Sequence, residues 1–170
     1  AAVVHPFDDE RVIAGQGTIG FEILEAVPDL DALVAPVGGG RLLAGIAVAV
    51  RPSRPRLELV GVQTEAYPAA ARAFHRDGPP AETTPRAPTI ADGIAVARPG
   101  DIPFEMIREL VDEVVTVSED DIARALLVLM ERAKLVVEPA GAVGVAAILA
   151  GKVSASGTTV AVISGGNIDP

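Results

Sequence analysis

The fold is decided by the stretch Leu33-Val34-Ala35-Pro36-Val37-Gly38-Gly39-Gly40-Arg41-Leu42. Its first five residues form an apolar run without alternation, which is typical of a strand buried on both faces. An Ala-rich run then predicts a helix that Pro52 ends. A strand that passes through glycines into a helix presents backbone N–H groups at the positive end of the helix dipole, where phosphate binds. The alternative interpretation is a tight turn without a ligand.

A second glycine corner, Ser164-Gly165-Gly166-Asn167, follows the apolar run at 158–163. Open parallel sheets bind ligands at the carboxyl ends of their strands. We therefore predict that the two corners meet at one edge of a sheet and face the same ligand.

Strand and helix patterns alternate along the rest of the chain. Helix signals include Ser118 as an N-cap followed by three acidic residues, and Pro139 at the start of a second helix. The proline-rich segment 79–88 predicts a loop. The predicted strands are 33–37, 57–62, 114–117 and 159–163, and the predicted helices are 18–26, 42–50, 67–76, 104–111, the one after Ser118, and 140–150. This order predicts an α/β fold with a mainly parallel, twisted sheet and helices on both faces.

Composition narrows the class of function. The chain has 170 residues, a net charge of −9 and no cysteine. The negative charge argues against nucleic acids and anionic membrane surfaces as partners. No uncharged apolar stretch approaches the roughly 18 residues of a membrane span, and no signal peptide is evident, so we expect a cytoplasmic protein.

Eight segments, in order, resemble the threonine dehydratase and serine racemase family of fold type II enzymes that use pyridoxal 5′-phosphate (PLP). They are HPFDD at 5–9, AGQGTIG at 14–20, PVGGG at 36–40, GVQ at 61–63, IADGIAV at 90–96, VSEDDI at 117–122, VEPAGA at 137–142 and SGGN at 164–167. The resemblance covers nearly the whole chain and corresponds to the carboxy-terminal part of the family's catalytic domain.

The resemblance implies that a phosphate loop of five residues, Gly38, Gly39, Gly40, Arg41 and Leu42, binds the cofactor phosphate. The family usually has a fourth glycine where this chain has Arg41. Arg41 either adds a charged contact to phosphate or blocks the loop, if that position requires a positive φ or close packing. The sequence leaves both outcomes open.

The resemblance also assigns residues around the cofactor ring. It places the Ser164 hydroxyl at the pyridine nitrogen, with Gly165 beside it, and Gly93 against the ring face. A neutral hydroxyl at that nitrogen suits elimination chemistry. Glu138 is implied near the cofactor, although a carboxylate at a helix N-terminus is favourable without any ligand. Without the resemblance, Gly93 equally suits a turn and Ser164 the end of a strand.

Some relatives hold a structural cation at positions that match Gln63 and the carbonyl of Tyr67. Gln63 and Ala69 stand where carboxylates are expected. The resemblance therefore names a cation site whose charged ligands are largely replaced.

The family's chemistry needs a lysine on the amino-terminal side that attaches the cofactor and moves the α-proton. Lys134 and Lys152 are the chain's lysines, and neither has that sequence context. We therefore expect residues 1–170 to be a single partial domain that binds the cofactor, without the lysine-bearing segment, the small domain or a catalytic residue of its own.

Two functions follow. The chain is either the PLP-binding part of a lyase that converts threonine or serine to a 2-oxo acid and ammonia, or a non-catalytic anion-binding module derived from that family. A complementary fragment or a homo-oligomer is the expected partner, because removal of amino-terminal segments exposes sheet edges.

Overall fold

The computed structural model describes residues 4–82, 87–154 and 156–168. The predicted loop at 79–88 has neither helix nor strand in its described residues, and 83–86 lie outside them. The helices are α1 (Glu10–Ala26), α2 (Arg41–Val50), α3 (Ala69–Arg76), α4 (Asp101–Leu110), α5 (Glu119–Val128) and α6 (Pro139–Leu149), and the strands are β1 (Ala32–Pro36), β2 (Glu58–Thr64), β3 (Glu113–Val117) and β4 (Thr159–Ala161). A 3₁₀ turn spans Asp92–Ile94, and a π-helical turn, Leu129–Ala133, follows α5.

The described strands form one parallel sheet in the order β3-β2-β1-β4. Alternate residues of β1 enter two separate cores: Leu33 and Ala35 pack with α1, α2 and α4, whereas Val34 packs with α5 and α6. The predicted α/β architecture, with helices on both faces of a parallel sheet, is confirmed.

The first helix begins earlier than the sequence pattern indicates. Asp9 caps α1 by accepting a hydrogen bond from the N–H of Arg11, whereas the predicted helix began at residue 18. Glycines weaken the helical signal in the first half of α1. They also allow α1 to approach α2, since a Cβ on Gly45 would lie 2.8 Å from the backbone nitrogen of Gly17.

The other elements differ from prediction by a few residues at their ends. Ser118 is the N-cap of α5 as predicted, and it forms a capping box with Asp121. Met130, in the π-helical turn after α5, is 54% exposed. Among the described residues, no helix is both long and apolar enough to cross a bilayer.

Candidate cofactor site

The glycine loop joins β1 to α2 through a single left-handed residue. Gly40 is the N-cap of α2 and has φ +99°, a conformation that glycine adopts without strain. Arg41 is the first residue of the helix and is absent from the described residues with positive φ. The sequence left open whether position 41 requires glycine, and the structure shows that the left-handed residue is the one before it.

The backbone N–H groups of this loop are available to a ligand. In the described part of the chain, the N–H groups of Gly38, Gly39, Gly40 and Arg41 donate to no protein acceptor. The first turn of a helix leaves its N–H groups without partners inside the helix, and the helix dipole makes that end positive. The loop is therefore suited to an anion with several acceptor oxygens.

The two glycine corners meet, as predicted. Val34 of β1 is aligned with Ala161 of β4, so the loop after β1 and the corner after β4 leave the same edge of the sheet. They border one cavity of about 340 Å³. Its lining includes the predicted residues Gly38, Gly39, Gly40, Arg41, Leu42, Gly93, Glu138 and Ser164.

Gly165, the remaining predicted residue, is absent from this lining and leaves space for Glu138. A Cβ at Gly165 would come within 2.8 Å of Oε2 of Glu138, and closer still to other atoms of the same carboxylate. The backbone N–H of Glu138 donates to the carbonyl of Gly165 (3.1 Å), and the N–H of Asn167 donates to Oε2 of Glu138 (3.2 Å). Glu138 is therefore fixed on the cavity wall next to the corner that carries Ser164.

Arg41 lines the cavity mouth without filling the cavity. Its Nη1 donates to the backbone carbonyl of Pro6, and its side chain is exposed. The guanidinium therefore lies at the edge of the phosphate loop, where it adds positive charge.

Sequence reasoning missed a contribution from residues 5–9, which we call the cover segment. The Phe7 ring occupies the space that a side chain at Gly39 would need. His5 Nδ1 accepts the N–H of Asp8 (2.9 Å), and Asp8 Oδ1 accepts the N–H of Ile102 in the first turn of α4 (2.9 Å). The HPFDD segment was recognised only as a family feature, and nothing local in it indicates a contact with the glycine loop.

The predicted cation site receives no support. Gln63 is fully buried, its Oε1 accepts the N–H of Ala71 (3.0 Å), and its Nε2 has no partner among the described residues. Tyr67 is half-buried, and the described residues contain no group of three or more His, Cys, Asp or Glu side chains that would hold a metal. An amide is a weaker cation ligand than the carboxylate it replaces.

Both lysines lie away from the cavity lining. Lys134 is the exposed residue, with left-handed backbone, that follows the π-helical turn, and its Nζ donates to the carbonyl of Glu131. The Nζ of Lys152 donates to the carbonyl of Thr116 (2.7 Å) at the outer edge of β3.

A second, larger cavity of about 760 Å³ lies beside β3. It is a more open groove whose lining combines Lys152 and Glu65, which form an ion pair at 3.3 Å, with His75, which contacts the carbonyl of Val114. The smaller cavity is the better candidate site, because convergent free N–H groups border it at the carboxyl ends of the strands.

Comparisons with known proteins identify the class. The family described as "Pyridoxal-phosphate dependent enzyme" matches residues 1–165, and the chain belongs to this family. The predicted resemblance is thereby confirmed.

The curated relatives include threonine ammonia-lyases and threonine dehydratases. The chain is 53% identical to the L-threonine ammonia-lyase of Thermotoga maritima over 170 residues, which is 99% of this chain and 42% of that protein. It is 47% identical to the catabolic L-threonine dehydratase TdcB of Escherichia coli K12 over 169 residues, 98% of this chain and 51% of that protein. The chain therefore spans about half the length of the curated relatives it matches.

Solved structures agree with the fold. The crystal structure of a T.th. threonine deaminase matches with a TM-score of 0.93 and 40% identity, covering 98% of this chain and 62% of that one. Maize serine racemase matches with a TM-score of 0.91 and 33% identity, covering 99% of this chain and 52% of that one.

Proposed function

We propose that this chain is the cofactor-binding part of a PLP-dependent ammonia-lyase that acts on threonine or serine. The observation that carries the proposal is the 340 Å³ cavity between the phosphate loop and the residues Gly93, Glu138 and Ser164. The names of its relatives, threonine ammonia-lyase and threonine dehydratase, supply the reaction and the substrate class.

The residues present fit PLP on two counts. The phosphate loop offers N–H groups without protein acceptors at a helix N-terminus, where a doubly charged phosphate is favoured. The lining also carries an exposed hydroxyl, Ser164, and a fixed carboxylate, Glu138. The cavity therefore combines donors for an anion with polar groups that can contact a heterocyclic ring.

When bound, PLP supplies an electron-withdrawing ring that stabilises negative charge at the α-carbon of an amino acid. In this chain the N–H groups of the phosphate loop would hold the phosphate, with the Arg41 guanidinium adding positive charge at its edge. The Ser164 hydroxyl would offer a neutral hydrogen bond to the ring nitrogen, which would favour elimination of the β-hydroxyl over chemistry that needs a fully charged ring. Gly93 lines the cavity without a side chain, and a Cβ there would lie 2.9 Å from the Cβ of Ala140, so glycine would leave room for the ring face at this point of the wall.

Binding can be measured without a Schiff-base lysine by using pyridoxine 5′-phosphate, which lacks the reactive aldehyde. We expect the chain to bind it, and Ser164→Ala to weaken binding by about threefold to tenfold, the value of one hydrogen bond. Inorganic phosphate should bind equally to both proteins. Ser154→Ala, on an exposed loop serine, is the control. If Ser164→Ala lowers affinity for both probes equally, the ring does not lie against Ser164.

A second candidate function, an anion-binding module without catalysis, is favoured by the positions of Lys134 and Lys152 away from the cavity lining. Co-expression with the part of the Thermotoga maritima relative that this chain does not match separates the two functions. A lyase part should then release a 2-oxo acid from L-threonine or L-serine. Binding of pyridoxine 5′-phosphate with no product in the joined protein would favour the module.

The outer edge of β4 supports a partner. This strand pairs with β1 on one side, lies at the end of the described sheet, and is half-buried along its length. An unpaired edge readily accepts another strand, from a complementary segment or a second copy of the chain. Sedimentation of a stable monomer at high concentration would contradict pairing with a second copy. The cytoplasm remains the predicted location.

A further inference from the structure

Glu119 makes contacts that capping of α5 does not require. Ser118 and Asp121 already form the capping box of that helix. The Glu119 carboxylate instead accepts hydrogen bonds from the Thr89 hydroxyl (2.7 Å), the backbone N–H of Ile90 (2.8 Å) and the Thr64 hydroxyl (3.0 Å). One side chain therefore joins β2, the segment after the proline-rich loop and the start of α5.

The charge of Glu119 matches these donors. Burial by itself raises the pKa of the Glu119 carboxyl, but the hydrogen bonds from Thr89, Ile90 and Thr64 outweigh burial and hold the pKa below its ordinary value. The group is therefore ionised at neutral pH. An ionised carboxylate only accepts hydrogen bonds, and bonds to a charged acceptor are stronger than neutral ones.

The anchored segment leads directly to the cofactor cavity. The Thr89 hydroxyl accepts the N–H of Ala91 (3.1 Å), and the carbonyl of the fully buried Ala91 accepts the N–H of Ile94 (3.1 Å). Ile94 backs the phosphate loop, because its Cα lies 3.1 Å from the Cβ position of Gly38. Both Gly93 and Ile94 line the cavity.

We infer that Glu119 is a positioning residue for the cofactor pocket: its carboxylate anchors Thr89 and Ile90, and so holds Gly93 and Ile94 as the pocket wall. Glu119 is absent from the cavity lining and acts only through this segment. The inference rests on the proposed function for the identity of the ligand, but the anchoring itself can be measured without one.

The test compares Glu119→Gln with Asp120→Asn in the same protein. Gln keeps the shape of Glu but replaces one acceptor oxygen with a donor, so it cannot satisfy all three donors as the carboxylate does. Asp120 is the adjacent exposed carboxylate, and Asp120→Asn makes the same charge change at the same helix end. Amide hydrogen exchange at residues 90–95 measures the anchoring, and titration with pyridoxine 5′-phosphate and inorganic phosphate measures the pocket.

In Glu119→Gln we expect exchange at 90–95 to accelerate by about tenfold, the lower end of the effect of losing one hydrogen bond to a charged group. The dissociation constant for pyridoxine 5′-phosphate should rise by a similar factor, about tenfold, and that for inorganic phosphate by less, because inorganic phosphate has no ring to lie against Gly93. Asp120→Asn should change neither. Thr89→Val, a milder change, should reproduce the effect and add little when combined with Glu119→Gln.

Three results would overturn the inference. The first is that Glu119→Gln lowers the unfolding midpoint but leaves exchange at 90–95 unchanged relative to other regions. The second is that Glu119→Gln and Asp120→Asn behave alike, which would mean that only the charge at the helix end matters. The third is that Thr89→Val and Glu119→Gln have fully additive effects. If the parent protein does not bind pyridoxine 5′-phosphate, the proposed function fails, and the exchange data alone decide whether Glu119 anchors the segment.

Discussion

A methyl group at position 39 tests how the cover segment determines the shape of the phosphate loop. In Gly39→Ala the new Cβ would overlap Phe7, and even the farthest of the three nearest ring atoms, Cδ2, lies only 2.6 Å away. Carbon atoms in contact normally lie about 3.5–4.0 Å apart, so the ring must retreat by more than about 1 Å. Overpacking of this kind costs about 1–3 kcal/mol.

The cost has an upper limit, because the ring can leave its site altogether. Loss of a fully buried phenylalanine costs about 3–5 kcal/mol, and the half-buried Phe7 should therefore contribute about 2 kcal/mol. Gly39→Ala should destabilise the protein by no more than Phe7→Ala does. Because both changes displace the same ring, the double variant should be about as stable as Phe7→Ala alone.

Urea unfolding of the parent, the two single variants and the double variant measures this coupling. We expect an interaction free energy of about 1–2 kcal/mol, opposite in sign to the cost of Gly39→Ala. Gly15→Ala is the matched control: no atom lies within 4 Å of its Cβ position in α1, so it should stabilise the helix by about 0.5–1 kcal/mol. Additive costs for Gly39→Ala and Phe7→Ala would refute the argument.

Three further predictions concern the loop and its support. Gly40→Ala should cost about 1–2 kcal/mol in urea unfolding, because φ is +99° there, and should weaken inorganic phosphate binding. Arg51→Met should cost about 2–4 kcal/mol by the same assay, since the mostly buried guanidinium donates to three backbone carbonyls and to Asp112. Hydrogen bonding by Arg11 holds the pKa of the Asp9 carboxyl at about 2, below its unfolded value. The ionised Asp9 carboxylate therefore stabilises the folded protein fully above about pH 4, and this contribution is lost as pH falls towards 2. Thermal midpoints measured across this pH range should show the loss in the parent protein and not in Asp9→Asn.

The sequence could predict features that depend on adjacent residues. The apolar run before Gly38 and the Ala-rich run after Arg41 define a strand, a turn and a helix within 18 residues, and the structure has each of them. The Ser118 cap is equally local. The meeting of the two glycine corners followed from a rule about parallel sheets, which needs only the order of strands and helices.

The predicted start of the first helix, residue 18, was wrong for a physical reason. Gly15 and Gly17 lower helix propensity, so the pattern alone favoured a later start. In the structure Gly17 packs closely against Gly45 of α2. The stabilisation from this contact cannot be inferred from the sequence of α1 alone. Local propensity is a weak guide where tertiary packing requires a small residue.

Contacts between distant segments could not be predicted. Asp8 accepts a hydrogen bond from Ile102, 94 residues away, and thereby caps α4, whose N-cap Gly100 has no side chain. Glu119 binds the Thr89 hydroxyl 30 residues earlier. In neither pair does the sequence around one residue indicate its partner, so these contacts could be found only from the structure.

The phosphate loop itself combines the predictable and the unpredictable. Its three consecutive glycines look interchangeable in sequence, yet each is backed by a different part of the chain: Gly38 by Ile94, Gly39 by Phe7, and Gly40 by Pro103. The loop's backbone is therefore held from three directions by segments that lie before and after it. The geometry of the proposed phosphate site therefore depends on the packed domain, because an isolated strand-loop-helix with the same sequence lacks all three supports.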